Sequence, residues 1–445
     1  MDRRQFLAVT TAALASTRVY AEARSEDASQ AAAPASLRVA ARNAWLWGLP
    51  LIEMAGQRAA RSADGVKVNT FQHQRALITA KGQFVTTPNN DTLYSQAWLN
   101  LENGPVTIGV PASGSRYYCV PLMDMYSNNF AIVGTRTSGS SARTFTVVGP
   151  HDTSNIPMAI RAPTNWVWIL GRTLVDGESD LPKARAFQDG WSIKGPEAGA
   201  PKSYAKRSAP WDQYFASVQE LMNESPPRVT DARMLDSMAP LIQFERTFDP
   251  SRFSADQVAE IKAGIADAAN AMAQSRRNSL VRNGWSFPRF SLGDFGEDYD
   301  YRAAVALGGL AALPRVEAMY LRSGGADGRG FEGSQSWKLT FPADQLPPVD
   351  SFWSLSMYRI TADGQLFFAE NPINRYAIGD RTAGLKRGAD RSLEIWMSRT
   401  EPTSNPNANW LPTPTDGKFV LILRAYLPKS SLLEGIYQVP AVQSV

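Results

Sequence analysis

The chain of 445 residues carries 46 Lys and Arg against 42 Asp and Glu, a formal net charge of +4, with 44% hydrophobic and 20% charged residues. This composition belongs to a globular chain of two or three domains and excludes both a disordered polymer and a membrane-embedded one. The excess of positive charge is small and scattered, which argues against nucleic acid as a partner, since that needs a concentrated basic face. Cys119 is the single cysteine, so no intrachain disulfide can form. It lies in the apolar run from Tyr117 to Leu122 and is expected to be a small buried hydrophobe rather than a nucleophile.

Arg3 and Arg4 stand before Phe6 and Leu7, and a modest apolar stretch from Ala8 to Ala15 follows. Val19-Tyr20-Ala21 then supplies acceptable residues for cleavage. The pattern predicts a twin-arginine signal over 1–21, with Asp2 departing from the usual Ser or Thr, and a flexible tether over 22–36. The expected destination is periplasmic or secreted, and the twin-arginine export machinery is the expected first partner. No later segment reaches the ~20 apolar residues of a spanning helix, so no stable membrane insertion is expected.

From Leu37 to Arg61 apolar residues recur at helical spacing, and Gly48-Leu49-Pro50 predicts two helical pieces with a kink. Six short runs of β type follow: Tyr94–Leu99, Val106–Val110, Tyr117–Leu122, Phe130–Val133, Thr144–Val148 and Trp166–Leu170. Gly, Pro, Asn and Ser separate them, which predicts a sandwich, so 37–180 reads as helices plus a β-sandwich. A helical segment is expected over 181–322. Its clearest helix starts at Ser254 with Gln257 as a capping-box partner, and Asn283-Gly284 is expected to stop it. A second helix is expected from Arg302 to Leu321. The rest, 323–445, returns to strands at Ser336–Phe341, Trp353–Tyr358, Leu366–Phe368, Leu393–Met397 and Phe419–Leu427, as in a jelly roll. The predicted fold class is mainly β with α: an immunoglobulin-like β-sandwich, a helical segment, and a jelly-roll-like β-sandwich.

Two histidines, His73 and His151, leave little room for familiar machinery. There is no H-E-x-x-H, C-x-x-C or G-x-S-x-G, no P-loop, and no G-x-G-x-x-G behind a predicted strand. Chemistry without an organic cofactor or a metal is therefore expected. The acidic stretch from Asp294 to Asp300 reads as an exposed turn, with a calcium site as the open alternative.

Two polar turns remain. Pro88-Asn89-Asn90-Asp91-Thr92-Leu93-Tyr94 opens a predicted strand, and Asp124-Met125-Tyr126-Ser127-Asn128 follows another. If the turns converge, Asp91 and Asp124 form a carboxylate pair for acid–base work, with Tyr94 and Tyr126 as assisting donors. Asn89, Asn90 and Asn128 would then contact substrate. The same residue types also serve simply to bond their own backbone in turns. Farther on, Arg375 could clamp an anion, and Trp353, Tyr358, Asn409 and Trp410 could line a binding surface, or be core residues.

Five phrases together resemble a bacterial family that joins domain of unknown function 1254 to domain of unknown function 1214. They are P-N-N-D-T-L-Y-S at Pro88–Ser95, Y-Y-C-V-P-L-M-D-M-Y-S-N at Tyr117–Asn128, R-A-A-V-A-L-G-G-L-A-A-L-P at Arg302–Pro314, P-P-V-D-S-F-W-S-L-S-M-Y at Pro347–Tyr358, and N-W-L-P-T-P at Asn409–Pro414. The resemblance covers the chain from about Leu37 onward. It implies the two-sandwich architecture and carries no agreed activity. The residue reading favours a hydrolase or lyase acting on an ester-, glycoside- or amide-like small molecule or glycan. A non-catalytic glycan- or envelope-binding protein is the rival, and a homo-oligomer stays open.

Overall fold

The computed structural model describes residues 35–82, 86–277, 279–325 and 327–445. The signal reading and most of the tether lie outside the described residues. The chain divides into two compact units: one holds the described residues up to Ile52 with Ala205–Ala271, the other Glu53–Tyr204 with Met272–Val445.

The first unit is helical. The helix Leu37–Ala63, which begins here, runs unbroken through Gly48-Leu49-Pro50, where two pieces are predicted. Pro50 forfeits one backbone bond. Complete burial of Leu46, Trp47, Leu49 and Leu51 offsets that loss, at roughly 1.5–3 kcal/mol per large apolar side chain. Helices Trp211–Glu224 and Ala232–Met238 follow, then Ala255–Arg277. Gly48 permits close packing, because a Cβ there would meet the Val218 side chain at 2.6 Å. The predicted capping box is present: Ser254 N–H donates to Gln257 Oε1 at 2.9 Å and Gln257 N–H to Ser254 Oγ at 3.3 Å.

The second unit contains two β-sandwiches. The first is built from β1 (Gln72–His73), β2 (Thr92–Asn100), β3 (Val106–Val110), β4 (Tyr118–Met123), β5 (Asn129–Gly134), β6 (Arg143–Val148), β7 (Ile160–Arg161), β8 (Trp166–Leu174) and β9 (Ser192–Lys194). A five-stranded sheet of order β1-β2-β8-β4-β5 packs on a four-stranded sheet of order β7-β6-β3-β9. Leu99, Ile108, Val120, Leu122, Val167 and Ile169 fill the space between them.

The second sandwich is built from β10 (Leu280–Arg282), β11 (Trp285–Phe287), β12 (Ala318–Ser323), β13 (Phe331–Glu332), β14 (Trp337–Phe341), β15 (Val349–Ile360) and β16 (Leu366–Phe367). It is completed by β17 (Ala377–Gly379), β18 (Leu393–Ser398), β19 (Asn409–Pro412), β20 (Lys418–Pro428) and β21 (Gln443–Ser444). An eight-stranded sheet follows the path β10-β11-β12-β20-β15-β16, with β13 on β20 and β17 on β15. Its inner face meets the sheet β19-β18-β14-β21 over Leu339, Leu355, Ile395, Leu411, Leu421 and Leu423.

Three local expectations are corrected. The helix predicted from Arg302 to Leu321 is only Tyr299–Gly308, and its second half is strand β12. Gly308-Gly309 and Pro314 break the helix, and Ala318–Ser323 then pairs residue for residue with β20. Asn283-Gly284 does not stop a helix. It turns the β10–β11 hairpin with φ of 50° and 77°, the left-handed pair that a two-residue hairpin needs. The run Gly328–Gly333 does spell G-x-G-x-x-G behind a strand, but it contains β13 and is followed by strand β14 rather than a helix, so it offers no helix N-terminus to a phosphate.

Alternation along β15 sends Trp353, Leu355 and Met357 inward and leaves Ser354, Ser356 and Tyr358 on the opposite face. That face is buried too. Tyr117 and Cys119 of the first sandwich share an apolar cluster with Phe352, Tyr426 and Ala318 of the second. Two buried arginines stand in this mixed layer. Arg172 lies 5.6 Å from the Tyr94 ring and donates to the carbonyls of Leu170 and Ala311 at 3.1 and 2.9 Å. Arg424 donates to Ser356 Oγ at 2.9 Å and to the Thr87 carbonyl at 3.0 Å.

Candidate active site

Asp91 sits at the edge of this layer, just ahead of β2. Asn89 shapes the turn by accepting the Asp91 N–H at 2.7 Å, and it donates to Tyr426 Oη at 2.7 Å. The Asp91 carbonyl receives Val175 N–H at 3.0 Å, which fixes the backbone beyond the end of β8. Asn90 donates to the Ile78 carbonyl at 2.6 Å. The Asp91 side chain therefore points where the second sandwich can meet it, and Ser354 donates from Oγ to Asp91 Oδ2 at 2.6 Å.

An open cleft of about 850 Å³ lies beside this contact, within the range of ordinary small-molecule sites. Asn90, Asp91, Phe352, Trp353, Ser354 and Arg381 are among its lining residues. Burial pushes the Asp91 carboxyl above its usual range, while Arg424, Ser354 and Arg381 pull the other way. A second carboxylate stands close by. Asp380 follows β17, between the lining residues Gly379 and Arg381, and accepts Trp353 N–H at 3.3 Å. Burial of its carboxyl, with the Asp91 charge adding to the effect, raises it to about 6. Two carboxyl groups in electrostatic contact, one backed by arginines and a serine hydroxyl and the other less so, can divide the roles of base and acid.

Asp124, the predicted partner of Asp91, is elsewhere. In the five-stranded sheet Thr92 pairs with Leu174, whereas Met123 pairs with Trp168. Strand β8 thus separates the two turns by six residues, roughly 20 Å at the strand rise, and they face opposite ends of the sheet. Asp124 closes its own loop by accepting the N–H groups of Tyr126 and Asn128, both at 2.9 Å, and the Asn128 side-chain amide. Tyr126 is fully buried beside Arg302, and Asn128 accepts Phe295 N–H at 3.1 Å. Asp91 and Asp124 therefore do not converge, and the carboxyl group in electrostatic contact with Asp91 is that of Asp380. Among the described residues no group of three or more His, Cys, Asp or Glu side chains is placed to hold a metal ion, and Asp298 of the acidic stretch is bound to Arg289 and Ser291.

The other candidates divide in the same way. Trp353 lines the cleft. Tyr94 packs in the mixed layer, and Tyr358 is fully buried there, donating to the Pro88 carbonyl at 2.7 Å. Arg375, Asn409 and Trp410 are structural rather than clamps. Arg375 donates to the Trp410 carbonyl at 3.0 Å, Trp410 Nε1 to the Ser398 carbonyl at 2.9 Å, and Asn409 Nδ2 to the Lys386 and Glu394 carbonyls, both at 2.9 Å. None of the three lines the cleft. Cys119 is fully buried with its thiol pushed up to about 12, so it is no nucleophile. Ser354, Asp380 and Arg381 were not picked out from the sequence. The one available signal was Ser354 within the Pro347–Tyr358 phrase, two residues ahead of Ser356 on the same face.

The chain matches two family models, Protein of unknown function (DUF1254) over residues 68–195 and Protein of unknown function (DUF1214) over residues 317–430. No curated protein matches the sequence. Among solved structures the chain is similar to the VPA0106 protein of Vibrio parahaemolyticus, with a TM-score of 0.70 and 24% identity, over 92% of this chain and all of that one. An uncharacterized protein from Burkholderia cenocepacia aligns at a TM-score of 0.44 and 10% identity, over 90% of this chain and 86% of that one. The first of these likenesses supports the fold, and the chain belongs to the family in which DUF1254 is paired with DUF1214.

Proposed function

We propose that the cleft is the active site of a hydrolase or lyase that works without an organic cofactor on an ester-, glycoside- or amide-like substrate. The observation that carries this reading is the Asp91–Ser354 contact on the wall of the cleft, with the Asp380 carboxyl in electrostatic contact with Asp91. Burial raises the Asp91 carboxyl, yet Arg424 and Arg381 beside it favour its ionised form, and it is assigned as the general base, oriented by the Ser354 hydroxyl. Asp380, held at about 6, keeps its proton closer to neutrality and serves as the acid toward the leaving oxygen or nitrogen. The Arg3-Arg4 leader supports a workplace outside the cytoplasm.

The test is turnover by the purified mature protein against chromogenic esters, glycosides and amides, with Asp91→Asn and Asp380→Asn measured in parallel. Turnover of one class that both variants lose is the expected result. Turnover undiminished in Asp91→Asn would refute the assignment. Saturable oligosaccharide binding without turnover of any class would replace it with the binding-protein reading.

A further inference from the structure

The charges that face the cleft do not balance, and pairing them off leaves one sign over. Its lining holds the carboxylates of Asp91, Glu178 and Glu370 against the cations Lys81 and Arg381. Arg381 is engaged outside that set, with its Nη2 3.1 Å from Asp176 Oδ1. The charge of Asp91 is met by Arg424 and by the Ser354 hydroxyl. Glu178 and Glu370 are exposed, and neither makes an ion pair among the described residues. They face Lys81, so the surplus is negative even while Asp380 keeps its proton. Glu178 follows β8 of the first sandwich and Glu370 follows β16 of the second, so both halves of the wall contribute. The neutral lining includes Thr79, Asn90 and Asn374, whose hydroxyl and amide groups suit a hydroxyl-rich molecule. A cleft of about 850 Å³ has room for a disaccharide.

We propose that the cleft selects a cationic, hydroxyl-rich substrate, an amino sugar, whose ammonium groups lie against Glu178 and Glu370. The inference deepens the catalytic reading and rests on it for what becomes of the bound sugar, but binding is measured without turnover. An ammonium donating to a carboxylate is a charge-assisted contact that a hydroxyl in the same place cannot match. An exposed pair of this kind is worth only about two- to fivefold in affinity, so the selectivity needs both glutamates. Protein walls on either side of the cleft concentrate the field of the surplus charge within it.

Calorimetric titration of the mature protein slightly below neutral pH, with the β-1,4-linked disaccharide of glucosamine and with cellobiose, tests this assignment. The two sugars share a skeleton, and each ammonium of the first replaces a hydroxyl of the second. The amino disaccharide is expected to bind about tenfold more tightly than cellobiose. That preference should shrink to about threefold in about 1 M salt, where the screening length falls to about 3 Å. Glu178→Gln and Glu370→Gln should each reduce it about threefold, and the double variant should bring the two sugars within about twofold of each other. Lys81→Gln should strengthen the preference, because it removes the opposing charge. Urea midpoints of the three variants, all at exposed positions, should match wild type and serve as the folding control.

The proposal fails if the amino disaccharide does not bind, if cellobiose binds equally well, or if the preference survives in the double variant. It also fails if putrescine, a dication without hydroxyls, binds as tightly as the amino disaccharide, which would mark a general cation site. Intact preference in a protein that turns over nothing would leave the substrate charge standing and sink the catalytic reading alone. Turnover of neutral substrates with no preference for the amine would do the reverse.

Discussion

Ser354 and Asp91, 263 residues apart in sequence, are joined by a hydrogen bond of 2.6 Å from a serine hydroxyl to a carboxylate oxygen. Asp91 stands just ahead of β2 in the first sandwich and Ser354 in the middle of β15 in the second, so the bond links the two halves of the cleft wall. The site is thus a property of how two sheets meet, and neither sandwich alone would contain it.

Asp91→Asn separates function from stability. Because burial raises the carboxyl of Asp91, its folded value lies above its unfolded one. Its favourable contribution is then present below the unfolded value and is lost as pH rises through the folded one. At neutral pH the ionised group costs stability, and an amide that still accepts the Ser354 hydroxyl relieves that cost. Turnover should fall by roughly 100- to 10,000-fold, while the urea midpoint at pH 7 stays level or rises. A midpoint that drops together with activity would make Asp91 a structural residue.

Strands were more legible in the sequence than the site was. Val106–Val110 is found with the bounds that alternation predicts, and Thr144–Val148 is extended by one residue to Arg143–Val148. Periodicity reports which face of a strand is buried, and these strands have one face in a core. It does not report which strand end lies beside which, because that depends on pairing order. Asp91 and Asp124 looked equivalent as polar turns, yet the order β2-β8-β4 sends them to opposite ends of the sheet. Asp380 and Arg381 stand beyond the three-residue β17, a strand too short to leave an alternating pattern. The Ala318–Ser323 segment was misassigned because a short apolar run fits a helix and a buried strand equally well.

Asp380 should set a pH limb. Its carboxyl is raised to about 6, so its contribution to stability is present below about 4, the unfolded value, and is lost as pH rises to about 6. Asp380→Asn should therefore leave stability unchanged near pH 4 and raise it by about 1 kcal/mol at pH 7, after allowance for solvent screening at a residue that keeps exposed surface. The fall in kcat/KM expected of the wild type as pH rises through about 6, where the acid loses its proton, should vanish in the variant. Urea titrations at the two pH values and a pH–rate profile check both halves. A wild-type profile flat from pH 5 to 7 would remove Asp380 from the acid role.

Asp124→Asn should show the opposite signature to Asp91→Asn. The carboxylate accepts from two backbone N–H groups and one side-chain amide within its own buried loop. Both backbone N–H groups bond Oδ1, which an amide keeps, but the NH2 that replaces Oδ2 meets the Asn128 side-chain NH2 donor to donor, which should lower stability by about 2 kcal/mol. The cleft is at the other end of the sheet, so binding and turnover per folded molecule should stay within about twofold of wild type. Denaturation midpoints alongside active-site titration give the answer, and a selective loss of turnover would restore Asp124 to the site.

Gly379→Ala tests whether the seat of Asp380 is built by close backbone approach. A Cβ on Gly379 would run into the Trp353 carbonyl oxygen and lie 3.0 Å from Ser354 Cα, so β17 must shift away from β15. Overpacking of this kind costs about 1–3 kcal/mol. The same shift pulls Asp380 off the Trp353 N–H, one of the groups that holds its carboxyl down. Release into water would remove the burial that raises it. Burial is the larger of the two effects, so the limb near pH 6 should move down toward the ordinary carboxylate range while KM changes less than kcat. A limb that stays in place despite the lost stability would show that Asp380 is positioned by the chain beyond Arg381 and not by its pairing with β15.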